Sequence, residues 1–230
     1  VGSEMCIRDS IQITFDLKFF WVLCPTTKTN ISGHVVLKIF LFCHLPFATS
    51  KLNYEDKLLF DMVYTLDLKF LGYPQSIAAY LVETSDGPIL IETGPHSTYE
   101  VLKSEVNRCG YNIDEINHVF LSHIHLDHAG AAWAVASQGA KVYLHPFGRA
   151  HLLNPEKLME SAKRIYQEDM DRLWGEMHPI SVNQLHSVGH LEEIFVGGHR
   201  FQALHTPGHA KHHIACLLYT SDAADEEDSV

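Results

Sequence analysis

Ser122-His123-Ile124-His125-Leu126-Asp127-His128-Ala129-Gly130 is the stretch whose reading decides this chain. It sets three imidazoles and one carboxylate within six positions, directly after the short run His118-Val119-Phe120-Leu121. Side chains on a strand repeat every two residues, so a strand that ends here sends His123 and His125 the same way. Asp127 and His128 come from the turn beyond them. Neutral imidazole with carboxylate is a donor set suited to zinc, iron or a similar divalent ion. A chain with 17 histidines can carry a polar loop by chance, but a solvated loop has no reason to concentrate coordinating groups at alternating spacing. The stretch reads as a metal site.

Outward from it, the pattern is strand, loop, helix, strand. Ala129 to Ala136 is a helix of small residues that can approach a sheet closely, and Lys141 to His145 is the next strand, as in a layered α/β fold. Upstream, Val63 to Leu68 alternates as a first strand. Ser76 to Thr84 reads as a buried strand, Ser85-Asp86-Gly87-Pro88 as a hairpin turn, and Ile89-Leu90-Ile91 as the returning strand. Thr98 to Arg108 is a helix with Ser97 as cap candidate, an apolar stripe at Val101, Leu102 and Val106, and Gly110 as its stop. Downstream, Pro155 to Gly175 forms a long helical insertion. Met159, Met170 and Trp174 in it read as core or lid rather than as a cofactor box. Short strands follow at Leu185–Val188, Glu193–Val196 and Phe201–His205, with Gly197-Gly198 as the turn between the last two.

That last strand delivers Thr206-Pro207-Gly208-His209. Pro207 fixes the backbone and Gly208 permits a tight turn, so His209 is held in one orientation at a strand end. Two strand-end histidine clusters about eighty residues apart can converge on one metal, giving three nitrogen ligands and an open position. An open position marks a catalytic rather than a structural site, because water held there loses a proton near neutral pH.

His-Ile-His-Leu-Asp-His at 123–128 and Thr-Pro-Gly-His at 206–209 resemble the signature of the metallo-β-lactamase fold superfamily. Glu92-Thr93-Gly94 sits where that family usually shows Asp-Thr-Gly. The resemblance covers about 62–215. It implies an α/β fold, a four-layer αββα sandwich with a metal centre at its edge. His123, His125 and His209 would bind the first ion, Asp127 and His128 the second, and Asp127 would help position the attacking hydroxide. Zn2+, as one or two ions, is the implied cofactor, with Fe as the alternative. The longer carboxylate of Glu92 can still support the metal loop from behind. Beyond the third histidine the family carries a bridging Asp and a further His. The natural sequence is read as stopping at Ala215, six residues after His209 and short of both, so that much of the second half of the sandwich would be missing. The piece 62–215 is therefore expected to be neither stable alone nor active.

The two ends carry a different signature. Cys216 to Glu226, CLLYTSDAADE, is what a transposase sequencing adapter encodes when translated, and the first ten residues, VGSEMCIRDS, match the partner adapter. Residues 1–10 and 216–230 are accordingly read as adapter-derived. Residues 11–61, rich in amino acids that A/T-rich codons specify and without a lasting period, are read as translated upstream DNA, poorly structured, with Met62 as the start. The rival is a signal peptide across 34–50, with Lys38, an apolar stretch and Ala48-Thr49-Ser50. It lacks a methionine and a basic start, and His44 and Pro46 interrupt it, so export is disfavoured.

The net charge of −11 argues against nucleic-acid binding, and it softens once the five acids Asp222, Asp225, Glu226, Glu227 and Asp228 are set aside. Of five cysteines, only Cys109 lies outside the doubtful segments. One thiol makes no disulfide framework, which fits a reducing, cytoplasmic compartment. No apolar run reaches the roughly 18 residues of a membrane span. His96, His118, His145, His151, His178, His186, His190, His199 and His205 are isolated and read as surface or hydrogen-bonded residues. His212-His213 read as the start of the next strand, with a pocket-edge role as the alternative.

The expected function is a metal-dependent hydrolase whose metal-bound hydroxide attacks an ester, thioester, lactone or similar bond of a small molecule. An iron-dependent, sulfur-dioxygenase-like oxidoreductase and an inactive metal-binding fragment are the rivals. The insertion 146–180 is expected to shape the pocket.

Overall fold

The computed structural model describes residues 62–219 and the backbone of a short strand at Val36–Lys38. The readings of residues 1–10, of the rest of 11–61 including the signal-peptide alternative, and of 220–230 lie outside the described residues.

Two sheets form the frame. The first holds six strands in the order β2(Val63–Asp67), β3(Ala78–Val82), β4(Ile89–Ile91), β5(His118–Phe120), β6(Lys141–Leu144) and β7(Leu185–Ser187). Its first three strands are antiparallel hairpin partners, and β4 through β7 run parallel. Parallel neighbours need crossover connections, and helices supply them. These are α1(Tyr99–Arg108), α2(Leu126–Ala129) with α3(Ala132–Ala136), and α4(Pro146–Leu153) with α5(Glu156–Tyr166) and α6(Met170–Leu173). The second sheet is antiparallel, in the order β1(Val36–Lys38), β10(Ile214–Tyr219), β9(His199–His205), β8(Glu193–Val196).

Strand alternation sorts the core into two layers. Ala79, Leu81, Leu90, Val119, Val142 and Leu144 face the helices, where Leu102, Val106, Ala129, Ala132 and Val135 meet them. Tyr80, Val82, Ile89, Ile91, Phe120 and Tyr143 face the second sheet and pack on Phe201, Ala203, Ile214 and Leu218. Phe120 stacks on Tyr143 at 4.5 Å and on Phe201 at 4.7 Å between ring centroids. Each such fully buried side chain contributes about 1.5–3 kcal/mol over its exposed state. The described residues thus form helix, sheet, sheet: an α/β sandwich.

Several local expectations change. The helix after the metal stretch starts at Leu126, so Asp127 and His128 stand in its first turn rather than before it. Ser97 does not cap α1; its hydroxyl donates to the Leu173 carbonyl at 2.6 Å, tying the α1 entry to the end of α6. The long insertion is broken, because Gln167 takes φ 48° and ends α5. Helix α4 is an addition that Pro146 signals, since proline suits the first helical position, where the His145 ring caps the Phe147 N–H. Gly208 has neither a positive φ nor a close neighbour, so nothing there requires glycine. Strand β10 runs past Ala215 through Cys216, Leu217 and Leu218, pairing with β9 over its length.

Candidate metal centre

The histidine loop lies at the carboxyl end of β5, the end of a parallel sheet where ligands usually bind. Leu121 continues the ladder by donating to the Tyr143 carbonyl, and the chain then turns out of the sheet. Across the sandwich, β9 ends at His205, and the loop Thr206–His209 leads back to β10. His123, His125 and His209 converge there, each offering a ring nitrogen within 4.8 Å of the others. His123 and His125 are buried.

The donors are aimed but unused. Nε2 of His123 and Nε2 of His125 are buried without a hydrogen-bond partner. Leaving such atoms unpaired costs about 1–3 kcal/mol each. The other nitrogen of His123 is engaged by the Ser122 hydroxyl at 2.9 Å, which orients that ring. Orphaned, oriented imidazole nitrogens converging on one point fit a divalent ion.

Asp127 and His128 stand beside this cluster but not within its ligand-distance group. They pair with each other, Asp127 Oδ2 to His128 Nε2 at 3.3 Å, and the His128 ring centroid lies 4.1 Å from that of His123. Behind them sits Glu92, fully buried and at φ 62°. One of its oxygens accepts the Ser122 N–H at 3.1 Å and the other lies 3.5 Å from His128 Nδ1. Thr93 donates both its N–H and its hydroxyl to the His128 carbonyl, and Gly94 accepts from the Ala131 N–H. Glu92-Thr93-Gly94 therefore clamps the turn that carries Asp127 and His128. Gly94 is required there: at φ 69°, a Cβ would lie 2.1 Å from Leu68 Cδ1.

The electrostatics follow from this packing. Burial, reinforced by the neighbouring imidazoles, holds His123 far below its ordinary value. Burial also carries His125 down to about 3, outweighing the pull of Asp127. For His128 burial works the other way from the net result: the Asp127 and Glu92 carboxylates overcome it and push the ring well up. Asp127 is held low by His128 against its own burial. Two neutral imidazoles and one charged ring share a few ångströms, separated by which side the carboxylates occupy.

His212 and His213 precede β10 rather than start it. The His212 ring lies 5.6 Å from that of His125, and the His213 ring 5.4 Å from that of His123. His213 Nδ1 sits 2.7 Å from the Thr206 hydroxyl, closing the His209 loop. Both rings thus stand beside the histidine cluster. Of the isolated histidines, His118 meets the Tyr143 hydroxyl and His205 the Val188 carbonyl. Trp174, read as core or lid, lines with Tyr166 a cleft shared with His125 and Asp127.

A helix–sheet–sheet sandwich with histidines converging at its strand ends is the geometry of a metal-binding α/β protein. Residues 72–219 match the family model of the Metallo-beta-lactamase superfamily, and the chain belongs to that superfamily. It is 30% identical over 121 residues to the metallo-beta-lactamase fold-containing protein ST1585 of Sulfurisphaera tokodaii, covering 49% of this chain and 46% of that one. Among solved structures it is similar to BJP-1, a subclass B3 metallo-beta-lactamase of Bradyrhizobium japonicum, with TM-score 0.55 and 20% identity over 71% of this chain and 56% of that one. It is likewise similar to the metallo-beta-lactamase GOB-18 of Elizabethkingia meningoseptica, with TM-score 0.53 and 24% identity over 71% and 55%. At those identities the structural likeness is one of fold. The chain spans about half the length of the relatives it matches. No helix among the described residues is long and apolar enough to cross a membrane.

Proposed function

We propose that the protein is a metal-dependent hydrolase acting on an ester, thioester, lactone or similar bond of a small molecule. His123, His125 and His209 are the ligands of one ion, and Asp127 and His128 belong to a second. The observation that carries this reading is the pair of buried, partnerless Nε2 atoms on His123 and His125 beside His209. Zinc, when bound, supplies Lewis acidity and brings the pKa of a held water to about 7. The chain's own residues do the rest. Burial keeps His123 and His125 neutral and ready to donate, Asp127 is the carboxylate placed to orient the attacking water, and Glu92 holds the His128 turn. A cytoplasmic setting and freedom from nucleic acid belong to the same reading, supported by Cys109 as the single cysteine outside the doubtful segments and by a net charge that stays negative without the five tail acids.

Turnover is proposed for the whole protein. It would be expressed from its source reading frame, analysed for bound metal and assayed with nitrophenyl esters, thioesters and lactones. Zinc with hydrolysis supports the reading. Iron with oxygen uptake would replace it with the dioxygenase, and neither metal nor turnover would leave a scaffold.

A further inference from the structure

His209 differs from the two histidines it joins. His123 and His125 are buried on the turn after β5, whereas His209 is exposed, as is the chain from Thr206 up to it. No atom lies within 4 Å of where a Cβ on Gly208 would stand, so the tip of this loop has open space around it. Ala210 then turns inward and is buried. A ligand carried on a loose loop loses backbone freedom when an ion binds, and that cost subtracts from affinity. What orders the loop beforehand therefore matters to the metal.

The loop is tied down on both sides. Before it, the His205 ring donates to the Val188 carbonyl at 2.8 Å, and the His205 N–H donates to His190 Nδ1 at 3.0 Å. After it, the Ile214 N–H donates at 2.7 Å to the carbonyl of Ser122, the residue before His123. Across its base, the Thr206 N–H donates to the His213 carbonyl at 3.0 Å, and the His213 N–H to the Ala210 carbonyl at 3.3 Å. A side-chain bond doubles this closure: the Thr206 hydroxyl and His213 Nδ1 lie 2.7 Å apart. The His213 ring is 5.4 Å from that of His123 and the His209 ring 5.0 Å from it, both within the range of packed rings. The Thr206–His213 bond thus links the loop carrying the third histidine to the ring of the first.

We propose that Thr206 and His213 are positioning residues: their side chains clasp the base of the loop and preset His209 for the ion that it shares with His123 and His125. The clasp rests on the reading of His209 as a metal ligand, and neither Thr206 nor His213 is assigned to that ion. Thr206 is exposed, so its hydroxyl adds little to the stability of the sandwich. Its effect is local order in the loop that it opens.

The test reads metal binding without turnover, in the whole protein, with zinc competed against a chelating dye. Thr206→Val keeps the shape and removes the hydroxyl. It should weaken zinc roughly tenfold to hundredfold, as lost support of a ligand does, and leave the metal-free melting temperature in place. Thr206→Ser should restore the affinity. His213→Asn, which keeps a polar atom close to where Nδ1 stands, should bind zinc more tightly than His213→Leu, and this pair carries the comparison if Thr206→Val does not fold. At saturating Co2+ the visible absorption of Thr206→Val should match wild type, because the ligands themselves are unchanged. Since the clasp acts through His209, Thr206→Val should weaken zinc no further in a His209→Ala background. A further loss in that background would make the clasp residues independent contributors and overturn the proposal. Wild-type affinity in Thr206→Val beside a weakened His209→Ala overturns the clasp and leaves the ligand reading standing. Wild-type affinity in both removes His209 from the ligand set, and the clasp falls with it.

Discussion

Nδ1 of His125 lies 3.1 Å from Nε2 of His209 across 84 residues of sequence. One ring hangs from the turn after β5 in the first sheet and the other from the loop after β9 in the second. Their contact joins the two sheets at the metal centre, so ligand geometry depends on how the sandwich packs.

This contact gives the first prediction. His209→Ala and His125→Ala should each weaken the first ion by more than the 10–100-fold, roughly, that residues merely supporting a ligand cost. His209 is exposed, so its replacement should leave the circular dichroism spectrum in place. Competition with a chelating dye reads the affinity. Wild-type affinity in His209→Ala would remove it from the ligand set.

Glu92 is the second test. Its carboxylate faces a positively charged His128 inside the protein, and removing one partner of a buried pair exposes the other to the full cost of burial. Glu92→Ala should destabilise the metal-free protein by about 3 kcal/mol, the low end for such pairs, because Asp127 remains beside His128. Urea unfolding measures it. A loss below about 1 kcal/mol, within the range of an exposed ion pair, would mean that His128 is not charged there.

Proton uptake should separate the two halves of the site. His123 and His125 are already neutral at pH 7, whereas the carboxylates keep a proton on His128. Binding at the first three histidines should thus release no proton from His123 or His125. An ion engaging His128 should release about one, and its affinity should climb with pH. Calorimetry in buffers of differing ionisation enthalpy counts these protons. Without metal, His125 sits at about 3 in the folded chain against an ordinary 6.5, so only the unfolded chain takes up its proton between those values. The stability owed to His125 is complete above pH 6.5 and is lost as pH falls toward 3. Metal-free unfolding free energies that stay level across that interval would contradict this burial.

Gly130 is a packing test. A Cβ there would lie 2.4 Å from the Leu126 carbonyl oxygen and 2.9 Å from Pro95 Cα, both backbone atoms that cannot step aside cheaply. Gly130→Ala should cost about 1–3 kcal/mol, as overpacking does. It should also weaken metal binding, by pushing the Asp127–His128 turn off Glu92-Thr93-Gly94. A variant with wild-type melting temperature and metal affinity would show that the turn has slack.

Much of this was legible beforehand. Strands β3, β4 and β6 and helix α1 fall where alternation and apolar stripes put them, because these patterns record which side faces a core. That two strand-end histidine clusters could meet was legible from donor type and spacing, and the choice of His123, His125 and His209 was what the family resemblance implied. Tyr166 and Trp174 were not legible as cleft residues: at helical spacing a ring that lines a cleft and one that fills a core look alike. The break at Gln167 was hidden too, since glutamine carries no signal for φ 48°.

The sequence by itself determined the local elements and the chemistry of the donors, because propensity and period act over a few residues and imidazole is a metal donor in any fold. Only the tertiary structure decided that His209 reaches His125, that Glu92 lies behind His128, and that the insertion closes a cleft against Asp127. Those relations span tens of residues and depend on the packing of Phe120 and Tyr143 against Phe201, which sets how the two sheets face each other. No local pattern encodes that distance.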